Sequence, residues 1–271
     1  MHPCLSRLTP GCARPLAVLL GSLVSVSMAG AEPAEAFHDL GALRANQAYE
    51  TLSVPPAAPG DVRATRLGLG LALLNRQPRS EANLMEALRH FETLAAENPA
   101  DEAGVAARYF AARWWQIHAP QPDLARARRA YLELAASAPE HPLAQYGLVK
   151  VGILDLYTAT GPAPAERIQS VEALLPRLTH PAVRRNLRHV LGQACQVLVD
   201  DPERALGHYE AALADGLAKD NLHADVLLRA AETARRTGDA RKARIFLEVY
   251  VERYPRSHAA RLAREILASL P

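Results

Sequence analysis

The chain has 271 residues, 49% of them hydrophobic, 5% aromatic and 22% charged, with a formal net charge of +2. That length suffices for a sizeable core in one domain or two, and plentiful alanine with few aromatics favours helices. The near-neutral balance removes the electrostatic case for nucleic acid or an anionic membrane surface as partner.

In chain order, residues 1–31 read as a cleavable export signal. Arg7 and Arg14 supply a positive start, "PLAVLLGSLVSVSMA" an apolar stretch, and Ala29-Gly30-Ala31 small residues before a cut at Glu32. The stretch is shorter than the ~20 residues of a spanning helix, so no stable membrane insertion is expected after cleavage; a retained anchor is the alternative. Cys4 and Cys12 precede the apolar stretch, the wrong order for lipid anchoring. Cleavage removes two Arg and no acidic residue, leaving 29 basic against 29 acidic side chains. Only Cys195 then remains, so no disulfide framework exists, and in "LGQACQVL" it reads as a small core residue. The expected location is exported, periplasmic or secreted.

From Glu32 onward, amphipathic stretches alternate with short Pro, Gly, Asn and Asp breaks. The periodicity predicts helices over 34–52, 61–75, 80–97, 101–118, 121–137, 142–158, 163–178, 182–199, 202–216, 221–237, 240–254 and 257–269, with no strand. Short links between them predict antiparallel pairs.

An Ala-x3-large-x7-Pro spacing recurs at Ala87, Phe91, Pro99, at Ala127, Tyr131, Pro139, and at Ala243, Leu247, Pro255. Anchor alanines at Ala45, Ala87, Ala127, Ala205 and Ala243 are separated by 42, 40, 78 and 38 residues, so a unit of about 40 repeats, with one weak copy in the middle. That copy is expected near Ala165, in "PAERIQSVEALLPRL", as a shifted or irregular helix. A small residue lets two helices cross closely. Four positions on, the same face carries a large residue that fills the gap to the next hairpin, and proline ends the helix. One hairpin cannot bury such a face, but a stack can.

With Gly238-Asp239 in the turn and "LLRAAETA" on the preceding helix, Ala243, Leu247 and Pro255 resemble a tetratricopeptide repeat (TPR). The resemblance weakens toward "DPERALGHYEAAL" and is poor over 160–180. The family period is about 34; longer turns such as "RQPRSEAN" and "HAPQPDL" leave Sel1-like and generic helical-hairpin arrays open. The resemblance implies an all-α fold: a right-handed superhelical stack of antiparallel helix pairs, a TPR-like α-solenoid of about five to six pairs spanning 32–271 as one domain, closed by "AARLAREIL". Proteins of bacterial envelopes associated with the Tol-Pal system or with barrel assembly carry repeats similar to "FLEVYVERYPRSHAARLAREIL".

No motif with catalytic or metal-binding spacing stands out. The sequence has no His-Glu-x-x-His, Cys-x-x-Cys or Gly-x-Ser-x-Gly, and Gly68-x-Gly70 lacks the third glycine of a dinucleotide loop. Glu203, Glu210 and Asp215 read as solvated helix faces. No catalytic residue, cofactor or metal is implied.

Stacked hairpins present an extended groove lined by the first helix of each pair. Taking Ala231 as the small crossing residue directs Asp225, Leu228, Glu232, Arg235 and Arg236 into that groove. Gly192 likewise selects Asn186, His189, Gln193 and Gln196, and Ala111 selects Arg108, Ala112, Trp115 and Gln116. Trp114 and Trp115 are adjacent and cannot share a helix face; Trp114 is expected in the core and Trp115 in the groove, with both packed between helices as the alternative. Arg235-Arg236 also fits a solvated helix end. The expected function is a non-enzymatic adaptor that binds a peptide or partner protein. The alternative is an accessory or regulatory subunit of an envelope enzyme, such as one acting on peptidoglycan.

Overall fold

The computed structural model describes residues 31–56, 62–216 and 220–270. Among these there are thirteen α-helices, one π-helical turn, one 3-10 turn and no strand, an all-helical architecture compatible with an α-solenoid. Apart from Ala31, the expected export signal lies outside the described residues. Among the described residues no helix is long and apolar enough to cross a membrane. The chain divides into two compact units after Ala138.

The first unit contains α1 (Ala31–Gly41), α2 (Ala45–Leu52), α3 (Val62–Asn75), α4 (Glu81–Glu97), α5 (Glu102–Arg113) with a π-helical turn at Trp114–His118, and α6 (Leu124–Ser137). The second contains α7 (Pro142–Tyr157), α8 (Pro164–Glu172), a 3-10 turn at Leu175–Arg177, α9 (Pro181–Leu198), α10 (Pro202–Ala214), α11 (Asp220–Arg236), α12 (Ala240–Arg253) and α13 (Ala260–Ser269). Within each unit, helices adjacent in sequence pack against each other.

Hairpin turns are set by side-chain caps. Ser80, Asp123, Asp201 and Asp239 precede α4, α6, α10 and α12, and each accepts a hydrogen bond from the backbone N–H three residues on. Each cap satisfies one donor that the helix start leaves without an intrahelical acceptor. Seven or four residues later come Ala87, Ala127, Ala205 and Ala243, all buried to 0% exposure. The large residue of each motif, Phe91, Tyr131, Tyr209 or Leu247, is also buried.

The small partner is visible in three pairs. A Cβ added at Gly70 would lie 2.5 Å from the Phe91 ring, one at Gly192 2.5 Å from the Tyr209 ring, and one at Gly152 2.9 Å from Val171 Cγ1. Gly70, whose Gly68-x-Gly70 spacing falls short of a dinucleotide loop, is therefore a helix-crossing residue. Val171 restores the period through the weak copy: Phe91, Tyr131, Val171, Tyr209 and Leu247 are spaced 40, 40, 38 and 38 apart.

Three expectations need correction. The anchor of the weak copy is not Ala165, which Pro164 places in the exposed first turn of α8. Four residues before Val171 stands Arg167, which donates to the Leu156 and Ala159 carbonyls at the end of α7. The helix is irregular as expected, stopping at Glu172 with Pro176 inside the following 3-10 turn.

The predicted helix 34–52 is two helices. Leu43 has φ 62, the left-handed conformation that commonly ends helices, and Arg44 N–H reaches back to Asp39 O at 2.8 Å. The turn is held by Asp39, buried under Arg44 Nε and Nη2 at 2.9 and 2.5 Å. Lastly, Ala111 is not the crossing residue of α5, because it is half-exposed while Ala112 is fully buried. Tyr131 Oη donates to Gln116 Oε1 at 3.0 Å just as Tyr209 Oη donates to Gln196 Oε1 at 2.8 Å. Gln196 lies four residues after Gly192, and Gln116 four after Ala112.

Candidate functional site

The residues selected from sequence separate into two open grooves and one internal network. The first groove belongs to the first unit. Its floor is Ala111 and Ala112 of α5, its walls are Glu92 and Ala95 of α4 and Arg126, Arg129 and Glu133 of α6, and it encloses about 250 Å³. Arg108 and Trp115 both line it.

The π-helical turn places the two tryptophans. Ala119 N–H bonds to Trp114 O at 2.9 Å, inserting one extra residue into the turn. Trp114 is 2% exposed and its Nε1–H donates to Leu84 O at 2.7 Å. Trp115 stays half-exposed, with the Arg126 guanidinium 3.5 Å above its ring centroid. Gln116, expected to face a ligand, accepts from Arg113 and Tyr131 inside the unit. The turn ends at His118, whose pKa is lowered to about 4 by burial and by the charges of Arg79 and Arg113.

The second groove lies at the end of the second unit. The groove encloses about 190 Å³, with Leu228, Ala231, Leu247, Ala263 and Ile266 as an apolar floor and Glu232 and Arg235 on the rim. Glu232 and Arg235 pair with each other at 2.9 Å, and Leu262 stands 58% exposed beside them. Arg236, expected in the same groove, instead reaches Asp200 at 2.5 Å. One residue further along a helix is a rotation of about 100°, enough to leave the face.

The remaining selected residues sit on or near an internal network of α9, α10 and α11. Tyr209 donates to Gln196, whose Nε2 donates to Thr233 Oγ1 at 2.6 Å. Arg229 Nε donates to Asp225 Oδ2 at 2.8 Å, and His189 Nε2 lies 3.1 Å from the same oxygen. Burial raises the Asp225 pKa, but His189 and Arg229 outweigh it and leave the carboxyl below its ordinary value. Asn186 and Gln193 are half-buried on α9, outside both grooves.

Asp215 was expected on a solvated face. It is instead enclosed by Arg184 Nη2 at 2.6 Å and Arg188 Nε at 3.0 Å. A comparable pairing joins α8 to α10, where Arg204 and His208 both reach Glu172, at 2.5 and 2.8 Å. Burial pushes the Glu172 pKa up, but hydrogen bonds from Arg204 and His208 prevail and hold it below the ordinary value. Among the described residues no group of three His, Cys, Asp or Glu is placed to hold a metal ion.

Sequence reasoning missed Arg126 and Arg129, and the contribution of α13 to the second groove. "LARARRA" advertises a basic helix, but its meeting with Trp115 depends on the π-helical turn and on the length of the loop from 119 to 123. Neither protein-family models nor curated proteins match the chain.

Proposed function

We propose that the chain is a non-enzymatic interaction protein of the bacterial cell envelope, an adaptor that takes a peptide segment or partner protein in surface grooves of its helical hairpins. The finer architecture belongs to the same proposal: within each unit, TPR-like antiparallel pairs stack with a right-handed superhelical turn. The close crossings Gly70–Phe91, Gly152–Val171 and Gly192–Tyr209 support it. The periplasmic or secreted location rests on the export-signal reading of residues 1–31.

The observation that carries the functional reading is the second groove. An open apolar floor with an ion pair on its rim, and Leu262 58% exposed beside it, offers desolvation at the centre and polar orientation at the edge. Such a site suits an aliphatic anchor presented by an extended or helical segment.

One observation favours the accessory-subunit alternative. Ile245 and Val249 are 46% and 39% exposed, and each lies about 160° around α12 from Leu247, on the side away from the groove. They form an apolar pair suited to a lateral protein contact.

A photo-crosslinking residue at Leu262 in the full chain, expressed in its own host, separates the two. Capture of the same envelope protein from Leu262, lost when the probe moves to Val249 or when Ala259→Trp obstructs the groove, supports the adaptor. Capture from Val249 alone refutes it in favour of the subunit.

A further inference from the structure

The first groove carries three guanidinium groups, none of them closely satisfied by a carboxylate. Arg108 Nη1 donates to a neutral hydroxyl, Ser137 Oγ, at 2.7 Å. Arg129 is exposed and has no ion pair among the described residues. Arg126 Nη2 is 3.7 Å from Glu92 Oε1, a charge contact longer than a direct hydrogen bond, and its guanidinium carbon lies 3.5 Å over the Trp115 ring centroid. A stacked guanidinium of this kind is oriented in advance, so less freedom is lost when its edge donors bind.

The spacing of these charges selects among anions. Arg126 and Ser137 stand eleven residues apart on α6, about 16 Å at 1.5 Å per residue. Arg108 is tied to the Ser137 end, Arg126 occupies the other, and Arg129 stands nearly one turn inward from Arg126. Arg126 sits over Trp115, seven residues or about 10 Å along α5 and its π-helical turn from Arg108, so the two ends are about 10–16 Å apart at the backbone. A single carboxylate or phosphate cannot bridge that, whereas an extended chain advancing about 3.3 Å per residue covers it in about three to five residues. Between the ends, the floor is alanine, which lets a backbone lie close, and Glu133 on the wall opposes negative charge there.

We propose that the groove over α5, between α4 and α6, docks an extended peptide segment with acidic side chains at its two ends and a non-acidic middle, its carboxylates engaging Arg108 at one end and Arg126 and Arg129 at the other. Two of these arginines lie on the second helix of their pair, outside the first-helix surface selected from the sequence. The site shares no residue with the C-terminal groove, so either can fail without the other.

The test is fluorescence anisotropy with the full chain and labelled, end-capped peptides of the pattern Glu-Ala-Leu-Ala-Ala-Glu. The Glu peptide is expected to bind about tenfold more tightly than its Gln counterpart, as charge-assisted contacts imply. Arg129→Ala and Arg108→Ala should each cut affinity roughly fivefold, with circular dichroism unchanged and binding weaker at high salt. Equal binding of Glu and Gln peptides, insensitivity to Arg129→Ala, or no binding at millimolar peptide overturns the proposal. So does an uncapped peptide bearing only a terminal carboxylate that binds as well as the two-Glu peptide. An all-Glu peptide that binds more tightly refutes the non-acidic middle.

Discussion

Gly192→Ala tests the helix-crossing logic most directly. The added Cβ would lie 2.5, 2.8 and 2.9 Å from Cε1, Cζ and Cδ1 of Tyr209, a ring that is wholly buried and tethered through its hydroxyl to Gln196. Such a ring cannot swing aside cheaply, and overpacking of this kind costs about 1–3 kcal/mol. Replacing a mid-helix glycine by alanine returns about 1 kcal/mol. The expected net loss is about 0–2 kcal/mol, centred near 1 kcal/mol, a fall in Tm of roughly 3 °C for a chain of this size. Tyr209→Leu alone should cost about 2–3 kcal/mol through lost volume and the lost Gln196 bond. In the double variant the alanine methyl occupies space the ring vacates, as Ala231 and Leu247 share a buried cluster in the wild-type chain. The double loss should therefore fall short of the sum by about 1 kcal/mol. Urea unfolding of the four proteins, followed by circular dichroism, measures this. A Gly192→Ala variant more stable than wild type, or strictly additive losses, would refute the close crossing.

Leu43→Gly should stabilise the chain by about 1 kcal/mol, because Leu43 is exposed and held at φ 62, where glycine carries no Cβ penalty; a lower Tm contradicts this. Trp114→Ala removes a buried indole and its bond to Leu84 O and should cost about 3–5 kcal/mol, read as a shift in urea midpoint. His118 ordinarily titrates near 6.5 and is lowered to about 4 in the fold, so its contribution is whole above pH 6.5 and is lost as pH falls toward 4. His118→Gln should accordingly flatten the loss of stability between pH 7 and 4, and identical slopes would dispose of the assignment. Burial pushes the Cys195 thiol up to about 11, so in a Cys4→Ser, Cys12→Ser chain it should resist thiol reagents at pH 8 until the protein unfolds. Fast native-state labelling would show that the α9 core opens.

Much of the helical layout could be read from residue order. Aspartate or serine caps, buried alanines and terminating prolines act within one or two turns, so Ala87, Ala127, Ala205 and Ala243 were recognisable together with the helices that carry them. The break at Leu43 was hidden because a leucine holds a conformation normally taken by glycine, supported by Asp39–Arg44 pairing across five residues. The weak copy was misplaced by two residues because Arg167 stands where alanine was sought, though Val171 kept the period.

The candidate grooves were legible only in part. Arg108, Trp115, Glu232 and Arg235 line them, whereas His189, Gln196 and Asp225 hold α9, α10 and α11 together, and Arg236 turns away to Asp200. Side-chain periodicity is a property of one helix and survives in the sequence alone. Which helices meet, and by what rotation, depends on loop length, on the extra residue in the Trp114–His118 turn and on how small residues admit large ones. Those are contacts between distant segments, and the tertiary structure alone set Arg126 over Trp115 and α13 against Leu228.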